Sequence, residues 1–177
     1  MSKTKWIADP THSEIQFKVK HLMITTVTGY FREFSATAET DGNDFTNARI
    51  DFEAKTASVD TNMADRDKHL RSGDFFDAEK FPVLKFRSTS MEKQSEDEYL
   101  LKGELTIREA TKPVTLKAEF GGVMKDPWGQ EKAGFSLSGK IDRKDWDLNW
   151  NATLEAGGVL VSDEVRLYCE MQLVKQQ

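Results

Sequence analysis

The chain has little sulfur chemistry and little punctuation. Among its 177 residues there is one cysteine, Cys169, so no disulfide can form within the chain. That thiol reads as a small buried hydrophobe on a strand. There are four prolines, Pro10, Pro82, Pro113 and Pro127, and each falls at an expected strand start or in a loop. No stretch approaches the ~20 apolar residues of a membrane-spanning helix. The start, Met1-Ser-Lys-Thr-Lys-Trp6, has charge but no apolar run after it, which argues against an export signal. A cytoplasmic protein with no stable membrane insertion is the expectation. Positive charge is not in excess: 25 Lys and Arg stand against 30 Asp and Glu, a net charge of −5. That balance excludes the basic footprint of a nucleic-acid binder, and overall it offers no polybasic grip on anionic lipid. Zinc spacings are also missing. His12, His21 and His69 are scattered, and His12 and His21 are an odd number of positions apart, so on one regular strand they face opposite sides. No metal and no cofactor are expected. There is no GxSxG motif and no phosphate-cradling glycine loop. Ser13 beside His12 is no catalytic pair, because neighbours on a strand face apart. The chain is expected not to be an enzyme.

What is present is period-two alternation. Ile15, Phe17 and Val19 point one way, while Glu14, Gln16, Lys18 and Lys20 point the other. The pattern recurs and predicts about eight strands. They lie near 13–22, from Val27 to Ala38, Ala48–Ala54, Val83–Thr89, Tyr99–Ile107, Val114–Phe120, Ala133–Ile141 and Val165–Leu173, with a turn at Asp41-Gly42-Asn43-Asp44. No long helix is available to cover so many one-sided strands, so the sheet has to close on itself. The fold class expected is all-β, an antiparallel eight-stranded barrel forming one domain over 1–177. Between Ala54 and Pro82 the rhythm breaks. Asp60 or Thr61 can cap a short helix and Gly73 can end it. Such a helix would cover one barrel opening and give Met63, Leu70, Phe75, Phe76 and Phe81 a home. Arg143 to Trp150, with two tryptophans, predicts a second loop or helical turn.

The inward set is Ile15, Phe17, Val19, Phe31, Ile50, Phe52, Leu84, Phe86, Leu105, Leu116, Phe120, Phe135, Leu137, Leu167 and Met171. These either line a tunnel or fill a dry barrel, since eight strands stand at the border between the two. Gly29, Gly103, Ala118, Gly134 and Gly139 suit internal space, or equally strand bends.

Seven short motifs then occur in order. They are Asp9-Pro-Thr-His12-Ser13 running on to Leu22, Thr26-Val27-Thr-Gly29-Tyr-Phe31, Ala57–Asn62, Arg66–Ser72 with Asp74–Asp77, Gly103–Arg108, Thr111–Thr115 and Gly157-Gly158-Val159. Through them the chain resembles the YceI-like family, also called polyisoprenoid-binding proteins, over essentially its whole length. It departs from that pattern at Glu109, where glycine is common, at Asp142-Arg143 for Asn-Arg, and at Trp146-Asp147 for an aromatic–glycine pair.

The resemblance implies a lipocalin-like barrel with a long-chain isoprenoid or other amphiphilic lipid inside (a polyprenyl phosphate, an isoprenoid quinone or a fatty amide), acting as a carrier or sequestering protein and often as a homodimer. It tilts the inward set towards a tunnel. The residues expected to touch the guest are Phe17, Val19, His21, Phe31, Ile50, Phe52, Arg66, His69, Leu84, Phe86, Leu105, Leu116, Phe135 and Leu167. His21 shares parity with the apolar face and reads either as a donor at the lipid's polar end or as a histidine bonded to loop backbone. Arg66, His69 or Arg71 meets an anionic or carbonyl head group at the mouth, or else the segment is a solvated helix face with local ion pairs. Asp60 and Asp74 read as a cap and a turn anchor. The competing reading is an isomerase- or cyclase-like enzyme acting on such a lipid, with His21 or Arg66 as the polar catalyst.

Overall fold

The computed structural model describes residues 3–152, 154 and 160–177. The motif Gly157-Gly158-Val159 lies outside the described residues. Within them, strand segments form a single sheet. They are β1 Thr4–Ala8, β2 Glu14–His21, β3 Thr25–Phe31, β4 Phe34–Asp41, β5 Asp44–Lys55, β6 Val59–Asp60, β7 Val83–Ser95, β8 Glu98–Ile107, β9 Ala110–Lys125, β10 Glu131–Asp142 and β11 Val161–Lys175.

Register shows how these segments make a barrel. β1 pairs with β4 and β11, and β2 pairs with β3 and β11, so β1 and β2 are halves of one bent strand. β3 and β4 are the halves of the next. Counted this way, eight antiparallel staves follow one another in chain order, and the β1–β11 pairing closes the ring. The expected eight-stranded barrel is the fold observed. Alternation is cleanest in β8, where Tyr99, Leu101, Gly103, Leu105 and Ile107 are buried and the residues between them are not. The short β1 falls outside the expected strands, yet it supplies the closing edge.

The bend between β1 and β2 is a single 3-10 turn, Pro10–His12, with proline at its start where a missing N–H does no harm. The Asp9 carboxylate accepts from the Thr11 N–H at 2.9 Å and the Thr11 hydroxyl at 2.6 Å, and pairs with His12 Nδ1 at 3.0 Å. The Thr11 hydroxyl first, and His12 second, hold its carboxyl well below the usual range, at about 2. His12 therefore sits in a turn and not on β2, so the argument from strand parity does not apply to it. Ser13 ties the bend to the wall, its Oγ accepting from the Gln172 N–H at 3.0 Å.

Three further expectations are corrected. The helix, α1, spans Ala64–Arg71, starts at Met63 without a side-chain cap, and ends at Ser72, whose N–H and hydroxyl both donate to the His69 carbonyl. Asp60 instead accepts from the Asn62 N–H and pairs with Arg32, while Gly73 takes no left-handed backbone. Pro113 lies inside β9 and not at its start. It is tolerated because β10 pairs only as far as Lys117, leaving Pro113 with β8 alone beside it. At two of the three departures from the family pattern the backbone is left-handed: Asp147 itself adopts the region (φ 61) that glycine favours, and in the β8–β9 turn Arg108 does so (φ 56), beside Glu109.

The core differs along the barrel axis. At the end holding the β4–β5, β7–β8 and β9–β10 hairpins, aromatic rings fill the section. Trp6 and Phe45 are fully buried, with centroids 5.1 Å apart. Phe45 lies 5.6 Å from Phe120 and 4.9 Å from Phe135, and Phe120 stacks on Phe135 at 4.9 Å. Tyr99 and Met91 complete the layer. The Trp6 indole N–H finds Thr40 Oγ1 at 2.8 Å, so this end contains no stranded indole donor.

Candidate functional site

Beyond the aromatic layer the barrel is hollow. A cavity of about 340 Å³ runs from mid-barrel to the opposite rim, with an almost wholly apolar wall. Its size falls within the ~300–1,000 Å³ of small-molecule pockets. β2 contributes Phe17, Val19 and His21, β3 Phe31, β5 Ile50 and Phe52, and β7 Leu84 and Phe86. Leu105, Leu116 and Leu167 come from β8, β9 and β11, and Arg66 and His69 from α1. Thus every expected guest-contacting residue borders the space except Phe135, which belongs to the aromatic layer. Of the wider inward set, Phe120 is the other one withheld. Both have inward parity, but their height along the strands places them in the filled section.

Glycine helps to keep the wall flat. Gly29 pairs with Phe17 across β2–β3, and a Cβ at Gly29 would collide with the Phe17 ring. Gly103 likewise admits the Phe86 ring, whose Cζ a Cβ would overlap. Each ring lies across a neighbouring strand and does not project into the lumen.

α1 and the loop after β10 border the rim. Arg66 is held from inside, with Nε donating to Thr61 Oγ1 at 2.7 Å and Nη2 to the Thr61 carbonyl at 2.6 Å. Thr61 in turn gives its N–H and its hydroxyl to Asp67 Oδ1 at 2.8 and 2.6 Å. That network explains why a helix carboxylate is buried. His69 pairs through Nε2 with Asp74 at 2.8 Å, not with Asp65 one turn earlier. Its ring stands edge-on to Trp150 at 4.6 Å and to Phe75 at 5.1 Å. Phe76 packs against Phe31 at 5.4 Å.

The sequence reading did not place Arg143 among the guest-contacting residues, yet it borders the cavity and is only 4 % exposed. It opens the 3-10 turn Arg143–Trp146 and donates to four carbonyls of its own loop and of β11. These are Leu148 at 2.5 Å, Trp150 and Ser162 at 2.9 Å, and Val161 at 3.3 Å. Burial pulls its pKa down, while the charges of Asp163 and Asp142 push it back up. Its sequence context, a charged residue in a polar loop, gave no sign of burial. Leu148 and Trp150 border the cavity beside it, and Trp146 anchors the loop by donating from its indole to the Leu105 carbonyl at 2.8 Å. The Cys169 thiol also borders the cavity, and burial pushes its pKa up to about 12, which leaves it protonated and inert at neutral pH.

Chemically this is a blind apolar tube whose polar groups gather at one end. Residues 6–173 match the YceI-like domain family. The protein YceI of Salmonella newport is 40 % identical over 166 residues, covering 94 % of this chain and 83 % of that one. A crystal structure of the Campylobacter jejuni YCEI protein superposes with a TM-score of 0.78 at 36 % identity, over 89 % of this chain and 90 % of that chain. A polyisoprenoid binding domain from Saccharophagus degradans shares the fold, with a TM-score of 0.72 at 14 % identity over 97 % of this chain and 98 % of that chain.

Proposed function

Because this chain belongs to the YceI-like family, we propose that it is a non-catalytic carrier that holds the tail of a long-chain isoprenoid or similar amphiphilic lipid inside the barrel. The cavity of about 340 Å³ carries this reading, closed by the aromatic layer at one end and bordered by Arg66, His69 and Arg143 at the other. Each buried CH₂ of a guest is worth about 0.8 kcal/mol, so a tail binds such a wall without any specific polar contact. Ordering the chain offsets part of that gain. The head group stays at the rim, where a guanidinium suits a phosphate or carbonyl oxygen. The polyisoprenoid binding domain from Saccharophagus degradans, which shares this fold, supports the same ligand class.

The test is organic extraction of purified protein followed by mass spectrometry, with added polyprenyl lipid as a second arm. A long-chain lipid in stoichiometric amount is expected. Protein that neither retains nor takes up any such lipid overturns the reading. Incubating the lipid-loaded wild type and His21→Ala for hours before extraction separates carrier from isomerase or cyclase: a carrier returns the lipid unchanged in both, whereas catalysis through His21 or Arg66 alters it. Homodimerisation and a cytoplasmic location belong to the proposal as well, and light scattering and cell fractionation test them.

A further inference from the structure

The hairpin between β2 and β3 turns at Leu22-Met23-Ile24, and these apolar side chains are 39 %, 60 % and 77 % exposed. Leu22 and Met23 adopt left-handed backbone, with φ 54 and φ 63. Turn positions of that kind ordinarily take Gly, Asn or Asp, and bulky residues rarely accept them. The tip is built firmly all the same, since the Leu22 N–H donates to the Leu160 carbonyl at 2.9 Å and the Ile24 N–H to the His21 carbonyl at 3.2 Å. Three large apolar groups are thus held in water, on a costly backbone, where polar ones would fit better.

The position of the tip suggests what they are for. His21, Leu160 and Val161, all beside the tip, border the cavity. β6 pairs antiparallel with β3, so the chain leaving Asp60 runs towards the same rim, and Met63 there is also exposed. Local charge differs from the overall charge. From Ile15 to Arg32 there is no Asp or Glu, whereas Lys18, Lys20 and Arg32 are present, in a chain whose net charge is −5. Among the described residues, the acids of β11 and β6 beside this segment are engaged: Asp163 with Lys144 at 3.3 Å, Glu164 with Arg166 at 3.5 Å, and Asp60 with Arg32 at 3.0 Å.

We propose that Leu22, Met23 and Ile24 form a shallow membrane-docking tip that seats the cavity rim against an anionic bilayer surface, so that lipid passes between bilayer and barrel without crossing water. Apolar side chains sink into the boundary between head groups and acyl chains while the lysines meet anionic head groups. The inference rests on the carrier reading and adds to it the place where cargo is exchanged. A second copy of this chain is the other occupant the tip could take, and the test distinguishes the two.

The variant Leu22→Asn, Met23→Gly, Ile24→Thr installs residues that suit the backbone, so it should fold at least as well as the wild type. Co-sedimentation uses vesicles of phosphatidylcholine with and without phosphatidylglycerol, at low and at high salt. The wild type should pellet with the phosphatidylglycerol vesicles, more weakly at high salt, and the variant should partition about tenfold less or weaker. Bound lipid is measured on the same preparations. Wild-type protein that carries lipid but stays in the supernatant with every vesicle overturns the docking proposal and leaves the carrier reading intact. Protein that carries no lipid defeats the carrier reading instead. Unchanged vesicle binding by the variant, or a variant whose only defect is loss of a dimer in light scattering, also overturns docking and in the latter case assigns the tip to a second copy.

Discussion

The two ends of this barrel are made from the same alternating strands and the same residue types, yet one is solid and the other empty. At the solid end Trp6, Phe45, Phe120 and Phe135 meet ring to ring across the axis. At the hollow end Phe17 and Phe86 lie back over Gly29 and Gly103, and the middle stays vacant. An aromatic ring therefore fills a barrel or lines it according to what its cross-strand neighbour leaves free. Interiors ordinarily pack to crystal-like density, so the stability should come chiefly from the solid end and the capacity from the hollow one.

The largest effect expected is at the solid end. Trp6→Ala removes a fully buried indole and should cost about 3–5 kcal/mol in urea unfolding. A loss below about 1 kcal/mol would mean that stability does not come chiefly from the aromatic layer. Overpacking comes next. Ala38 is 1 % exposed beside Trp6, and Ala38→Leu should cost about 1–3 kcal/mol. The matching insertion at the hollow end is Leu137→Trp, whose side chain has room to grow into the lumen. Its stability should stay within about 1.5 kcal/mol of the wild type, while co-purifying lipid falls to the background of the mass spectrum. Retained lipid with lost stability would invert the comparison.

The smallest effect lies at the joint between the ends. The Asp9 carboxyl has a pKa of about 2 in the folded chain against an ordinary 3.8, so its contribution is complete above pH 3.8 and fades as pH falls towards 2. Asp9→Asn lacks that contribution at every pH. The Tm gap between wild type and variant should therefore be constant near neutrality and shrink between about pH 4 and pH 2. A gap that widens on acidification would refute the assignment.

Period-two alternation made the eight staves and most of the cavity wall legible, because inward parity is a local property of a strand. Height along the axis is not local. Phe120 and Phe135 look like Phe17 and Phe86 in sequence, and only register, of β9 against β10 for the first pair and of β2 against β3 and β5 against β7 for the second, assigns the two pairs to opposite sections. β1 escaped notice because five residues, Thr4–Ala8, carry too few alternations to stand out, and the Asp9-Pro10 bend separates them from β2. The helix was legible by its composition, but its cap was not. Asp67 reaches back to Thr61 from within the helix, a contact that depends on how the preceding loop folds. Arg143 was illegible for a related reason, since a guanidinium is buried here only because its own loop and β11 together present four carbonyls to it.

The aromatic layer has one more consequence, for traffic. If the barrel carries lipid as proposed, a tube stoppered at its far end offers one doorway among the described residues, so a guest would enter hydrocarbon first and back out by the way it came. Every cargo molecule then presents the same face to whatever receives it, and a second cannot push the first through. Delivery from such a vessel is a handover at one port, never a relay through the middle.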